Sequence, residues 1–164
     1  MKSKRGREGD QAMPSDGTNG VHHVVWCVRP ESFAEVRAFW EGSIGLSLEE
    51  LDLPELGLKI LISWKGGVEI MAPFYQTGAL ADVARRFLAE RGEGVYTVVV
   101  NVHEIDGLVS SLVGQGASLL FRETISPDEV LERKLSDGTR FSILQAGFDE
   151  VCGMPICLQQ VVPE

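Results

Sequence analysis

Apolar residues fall in short dense runs, separated by turns rich in Gly and Pro, and the runs come twice in the same order. Residues 21–28, Val21-His22-His23-Val24-Val25-Trp26-Cys27-Val28, alternate poorly, which suits a strand covered on both faces. Arg29-Pro30-Glu31-Ser32 then predicts a helix start, with Pro in the first turn and an acid beside the positive helix end. Phe33, Val36, Ala38, Phe39 and Trp40 supply an apolar side at three- and four-residue spacing, and the glycines at 42 and 45 stop the helix. Strands are predicted over 46–52 and 58–64 around a turn at 54–57, and Lys65-Gly66-Gly67 marks a hairpin into a strand at 68–72. The order is β-α-β-β-β.

Residues 79–90, with Leu80, Val83, Ala84, Phe87 and Leu88 at helical spacing, predict a bridging helix. The order then recurs. A strand at 95–102 leaves the Arg91-Gly92-Glu93-Gly94 turn as the first strand leaves Gly20, and a helix at 105–113 closes on Gly114 and Gly116. Strands at 118–122, 130–135 and 139–145 follow, the last two joined by Ser136-Asp137-Gly138; a loop with Gly147, Phe148, Asp149 and Glu150 leads to a strand at 154–161. The chain therefore reads as an internal duplication of class α+β. Two tandem βαβββ modules, at about 21–73 and 94–162, are expected to join into one curved mixed sheet around a pocket, helices on the convex side, as a single domain over 20–164. Residues 1–19 carry Lys2, Lys4, Arg5 and Arg7 but no apolar signal-peptide core, and read as a disordered tail.

Period-two alternation assigns faces. Val24, Trp26 and Val28 share one side of the first strand, and His23, Val25 and Cys27 the other. On the later strands Glu69 goes with Met71, Thr97 with Val99 and Asn101, and Cys157 with Gln159. If each strand turns its more polar set inward, these residues line one pocket. By the same rule His22 points away from Glu69, and Tyr96 falls on the face of Trp26. Trp26, Trp40 and Phe39 fill the space between helix and sheet, and His103 lies beside a helix cap.

Composition narrows the function. The 164 residues, 44% hydrophobic and 24% charged, suffice for one ordinary core. A net charge of -9 and a pI near 4.8 oppose a phosphate-neutralising surface, so no nucleic-acid partner is expected. No apolar run is long enough to span a bilayer. Cys27, Cys152 and Cys157 show no CxxC spacing, which fits reduced thiols in a cytoplasm. A sheet this size leaves edges to cover, and the strand at 58–64 ends on an aromatic expected to be exposed, so a symmetric homodimer is expected. Lys59, Arg133, Lys134 and Arg140 are scattered cations: either solvated surface or contacts for the phosphates of a coenzyme A group.

Three stretches carry a family resemblance. Phe87-Leu88-Ala89-Glu90-Arg91-Gly92-Glu93-Gly94-Val95, Val102-His103-Glu104-Ile105-Asp106 and Glu69-Ile70-Met71-Ala72-Pro73 resemble the bridging turn, the second helix start and a ligand-bearing strand of the vicinal oxygen chelate superfamily. That group includes glyoxalases, extradiol dioxygenases, fosfomycin-resistance enzymes and bleomycin-binding proteins, and the chain looks most like its methylmalonyl-CoA epimerase branch. The resemblance runs from about residue 21 to 161. It implies one divalent ion (zinc, cobalt, manganese or iron) held by a ligand from each of four strands and polarising a substrate carbonyl. His23 and Glu69 match the first two ligand positions, whereas Thr97 stands where a His would be and Cys157 where a Glu would be. A His23–Glu69–Cys157 set completed by Thr97 or water is one arrangement; a hydrogen-bonded His23–Glu69 pair lining a pocket is the other.

Two functions follow from the resemblance. One is an epimerase or isomerase that removes a proton next to a carbonyl, with Glu69 as base and His23 as metal ligand or partner acid. The other is a metal-free protein that binds or sequesters a small apolar or aromatic ligand in a pocket of Val25, Cys27, Met71, Val99 and Cys157.

Overall fold

The computed structural model describes residues 19–78, 80–125 and 140–163. The expected N-terminal tail up to residue 18, the strand at 130–135, its Ser136-Asp137-Gly138 turn, and the cations Arg133 and Lys134 lie outside the described residues. The first module holds β1 (Gly20–Cys27), α1 (Phe33–Ala38), β2 (Glu49–Leu53), β3 (Leu58–Ser63) and β4 (Val68–Ala72). After α2 (Ala81–Arg91) come β5 (Gly94–Asn101), α3 (Ile105–Gly114), β6 (Leu119–Ile125), β7 (Phe141–Val151) and β8 (Met154–Pro163). The eight strands of the described residues form one mixed sheet in the order β2-β3-β4-β1-β5-β8-β7-β6. The two first strands pair antiparallel at its centre, and each pairs parallel with the last strand of its own module. Residues of β2 and β3 near one edge and of β6 and β7 at the other line one cavity, so the sheet curls into a half-barrel as the duplication implies.

The convex face is covered by α1 and α3. Phe33 packs over Leu61 and Ile70, with the Trp26 and Trp40 rings 6.0 Å apart beside them, and Ile105 and Val109 pack over Ala146, Phe148 and Leu158. Glu104 caps α3 by accepting the backbone N–H groups of Asp106 and Gly107, and Asn19 Oδ1 accepts the His103 N–H just before it, a cap that satisfies the otherwise orphan helical donors.

Several expectations are corrected. The bridging helix α2 lies on the concave face, not the convex one: Ala84 and Leu88 join the cluster of Val25, Cys27, Met71, Val99 and Cys157. Ala84 is the reason α2 can approach so closely, with the Cys27 thiol reaching its carbonyl at 3.8 Å. Phe39 lies in a π turn over Phe39–Ile44 that ends α1 at Gly45 (φ 82°), and it is half exposed rather than core. The strand expected from 46 begins at Glu49, because the Leu46 N–H closes that turn onto the Trp40 carbonyl. Residues Gly147, Phe148, Asp149 and Glu150 form no loop but continue β7 to a tight hairpin at Cys152 (φ 54°) and Gly153 (φ 85°), the left-handed pair that a two-residue hairpin loop requires. Trp64 is half-buried against the concave core, so it offers no exposed aromatic for an edge contact.

Candidate functional site

The β1–β5 ladder skips two residues. Val21 pairs with Val100 and His23 with Val99, so the register steps over His22; Val25 pairs with Thr97 and Trp26 with Val95, so it steps over Tyr96. Each is a β-bulge, an extra residue that lets neighbouring side chains share a face. The bulges overturn two face assignments. His22 does not point away from the site: its Nδ1 lies 2.6 Å from His23 Nδ1. Tyr96 leaves the face of Trp26 and packs edge-on against Phe87 of α2 at 5.2 Å, in the concave core.

The remaining alternation delivers a concave surface. His23, only 5% exposed, sets Nε2 3.2 Å from Oε2 of Glu69, itself 19% exposed. Trp64 lies against both imidazoles, with ring centroids 6.1 Å from His22 and 6.2 Å from His23. A groove runs through this face in two lobes of about 120 and 160 Å³, which share His23, Glu69, Leu80, Glu123 and Gln145. The first lobe adds Val25, Met71, Thr97, Val99, Cys157 and Tyr96. Leu51, Leu53, Ile60, Ile62, Ile125 and Ile143 line the second, which is apolar apart from the shared polar groups and Gln159. An apolar groove with a few convergent polar groups is the usual form of a small-molecule site.

Two anticipated lining residues stand apart. Cys27, fully buried beneath α2, does not line the groove. Asn101 accepts a hydrogen bond from Gln159 Nε2 at 3.0 Å, and Gln159 Oε1 accepts one from Gln145 Nε2 at 3.2 Å, so Asn101 orients the groove amides from behind. Glu123 and Gln145 are groove residues outside the set expected from the sequence. The strand expected at 118–122 stops one residue short of Glu123, and the strand expected at 139–145 ends on Gln145 itself. The period-two set Phe121, Glu123 and Ile125 carries the signal.

The four family ligand positions do not make a metal set. Thr97 Oγ1 donates to the Pro155 carbonyl at 3.0 Å. The Cys157 thiol donates to the Leu158 carbonyl, and burial, then the charges of Glu69 and Glu123, push its pKa up to about 12. Among the described residues no group of three or more His, Cys, Asp or Glu side chains gathers closely enough to hold an ion. His23 and Glu69 are brought together; Cys157 is not drawn into a ligand set with them. Lys59, for its part, pairs with Glu50 and Asp52 and lies over Phe74.

No known family description and no curated protein matches the sequence. Solved structures do resemble the fold. A hypothetical protein of Bacillus halodurans is 21% identical with a TM-score of 0.61, over 87% of this chain and 94% of its own. The methylmalonyl-CoA epimerase of Mycobacterium tuberculosis is 20% identical with a TM-score of 0.53, over 86% and 87%. A variant of Streptomyces coelicolor 4-hydroxymandelate synthase is 17% identical with a TM-score of 0.59, over 89% of this chain and 50% of the synthase. Strand order, duplication and these likenesses agree: the chain has the vicinal oxygen chelate, or glyoxalase, fold.

Proposed function

We propose that this chain is a small-molecule enzyme of the vicinal oxygen chelate type, an epimerase or isomerase that moves a proton at the carbon next to a carbonyl. Glu69 is the base and His23 its partner. The observation that carries the reading is the 3.2 Å His23–Glu69 pair where the two groove lobes meet: a carboxylate held in a largely apolar groove is oriented and poorly solvated, as a base must be. Glu69 takes the proton and the C–H electron pair moves onto the carbonyl oxygen. That oxygen needs a donor. Gln145 gives one of its two amide N–H groups to Gln159 and has the second for the substrate. Glu123 reaches the same groove from the opposite edge of the sheet; in its protonated form it is the group proposed to deliver that proton to the other face of the carbon, leaving Glu69 protonated and Glu123 ionised. No step is assigned to a resident divalent ion, because the donor set does not fit one.

The test is proton exchange in heavy water. Carbonyl compounds with an acidic neighbouring C–H, including short coenzyme A thioesters, are incubated with the protein and followed by proton NMR. Loss of the C–H signal that disappears with Glu69→Gln is the expected result. A solved epimerase complex holds methylmalonyl-CoA, which is the reason to include thioesters. Oligomer and compartment complete the proposal: a homodimer in the cytoplasm, the compartment supported by three free cysteines.

A second reading rests on the aliphatic lobe: a metal-free protein that binds or sequesters an apolar or aromatic ligand. Failure of exchange across the carbonyl panel, together with stoichiometric binding of an apolar fluorescent probe, favours it over the enzyme.

A further inference from the structure

We infer that His22 is a positioning residue that holds the His23 ring by donating to its Nδ1 while Glu69 keeps the proton on Nε2, and that His22, His23 and Glu69 form a metal-independent unit. The inference rests on the reading of His23 and Glu69 as a proton-transfer pair. Both ring nitrogens of His23 are engaged: Nε2 faces Glu69 Oε2 at 3.2 Å and Nδ1 faces His22 Nδ1 at 2.6 Å. An ionised carboxylate only accepts, so Nε2 carries a hydrogen. Nδ1 of the neutral ring is then a bare lone pair. Two such nitrogens at 2.6 Å attract only if one of them is protonated, which makes His22 Nδ1–H the donor. The chain of donation runs His22 to His23 to Glu69, and it selects one His23 tautomer.

The backbone enforces this contact. Adjacent residues of a regular strand face opposite sides, and only the bulge at His22 turns both imidazoles together. From the other side the 64–67 turn closes on the pair: Trp64 lies against both rings, and a Cβ at Gly67 would come within 3.3 Å of the His22 carbonyl. The chemical consequence is specific. A divalent ion needs an imidazole lone pair, yet Nε2 holds its proton toward Glu69 and Nδ1 spends its lone pair on His22. The ring that matches the first ligand position of the fold family is therefore committed to a hydrogen-bond relay.

The experiment is long-range proton–nitrogen NMR on the uniformly nitrogen-15-labelled full chain at neutral pH, with no substrate. Wild-type His23 is expected to show a protonated Nε2 and a bare Nδ1, and one equivalent of cobalt should leave both signals unbroadened. His22→Phe keeps a ring beside Trp64 but removes the donor, and should move the His23 Nδ1 resonance to that of a lone pair without a hydrogen bond, while Glu69 keeps Nε2 protonated. Three results overturn the inference: a protonated Nδ1 in wild-type His23, cobalt broadening of the His23 ring at one equivalent, or unchanged His23 signals in a folded His22→Phe. The wild-type spectrum decides even if the variant does not fold. Failure of the exchange assay leaves this tautomer measurement standing, and the reverse holds as well.

Discussion

His22 and Tyr96 occupy the same point of the two repeats: each is the residue skipped in the β1–β5 ladder, two places after the Gly that opens its strand, and each presents its ring on the concave side. Their partners differ. Tyr96 packs on Phe87 and helps seat α2, whereas His22 meets the rings of His23 and Trp64 at the site. Tyr96→Ala should therefore lower stability by roughly 2–4 kcal/mol, the cost of truncating a largely buried aromatic, while His22→Ala should cost less, about 1 kcal/mol, the low end for a buried acceptor that loses its donor. Urea unfolding midpoints measure both, and equal losses would contradict this division of roles.

Removing the carboxylate separates stability from chemistry. Glu69→Ala leaves the Nε2–H of a nearly buried His23 without its acceptor, at a cost of about 1–3 kcal/mol. Glu69→Gln keeps an acceptor and should unfold close to wild type, yet lose about 10²- to 10⁴-fold in exchange rate as the base disappears. Full activity in Glu69→Gln would rule this residue out as the base.

Phe121 lies over Gly147 on the neighbouring strand, and a Cβ at Gly147 would meet Phe121 Cε1. Gly147→Ala should push the ring into the groove, costing about 1–3 kcal/mol through overpacking and weakening binding of an apolar probe. Gly147→Ala combined with Phe121→Leu should recover both. Recovery of neither would mean that the two side chains are not coupled.

The buried thiols set an alkaline limit. Cys27 is pushed up to about 12 by burial and then by the charge of Glu93, and Cys157 also to about 12, against an ordinary 9.0. Above pH 9 the unfolded chain loses protons that the folded chain keeps. The stabilisation present below pH 9 is thus lost progressively between 9 and 12, by up to about 1.4 kcal/mol per thiol for each pH unit. Melting temperature should hold from about pH 7 to about 9 and fall above it, less steeply in Cys27→Ala. At about pH 8 only exposed Cys152 should react rapidly with a disulfide reagent. Rapid reaction of all three thiols in the folded protein would contradict the burial.

The homodimer keeps a reason after Trp64 is found half-buried: β6, an edge strand among the described residues, exposes Leu119 and Leu120, and sheet edges invite pairing. Sedimentation at increasing concentration should reveal a dimer, and a monomer throughout would remove this proposal.

Much of this fold is legible in the chain because the duplication places Gly20-Val21-His22-His23 and Gly94-Val95-Tyr96-Thr97 at equivalent strand starts, and strict alternation then assigns Glu69, Thr97 and Cys157 to one face. Bulges are invisible to a period of two, which is why alternation puts His22 and Tyr96 on the wrong side. The position of α2 depends on Ala84 meeting Cys27, a contact between residues far apart in sequence. Gly147 reads as a loop residue until Phe121, on another strand, explains the missing side chain.

The family's ligand geometry can be tested by building it. Thr97→His with Cys157→Glu would add two ligands, on β5 and β8, to His23 and Glu69, with Val99 and Cys157 paired in register between those strands. The Thr97–Pro155 hydrogen bond is removed by the substitution itself, so an ion would have to displace the His23–Glu69 hydrogen bond, worth about 1–3 kcal/mol. A complete set of protein ligands supplies on the order of 10 kcal/mol, so the ion should win. The double variant should be less stable than wild type without metal, because Cys157→Glu puts a carboxyl where a buried thiol stood. Cobalt should raise its melting temperature and bind about a thousandfold tighter than to wild type. A folded double variant that binds cobalt no better would show that the four positions do not converge, and Glu69 would lose its place at the centre of the site.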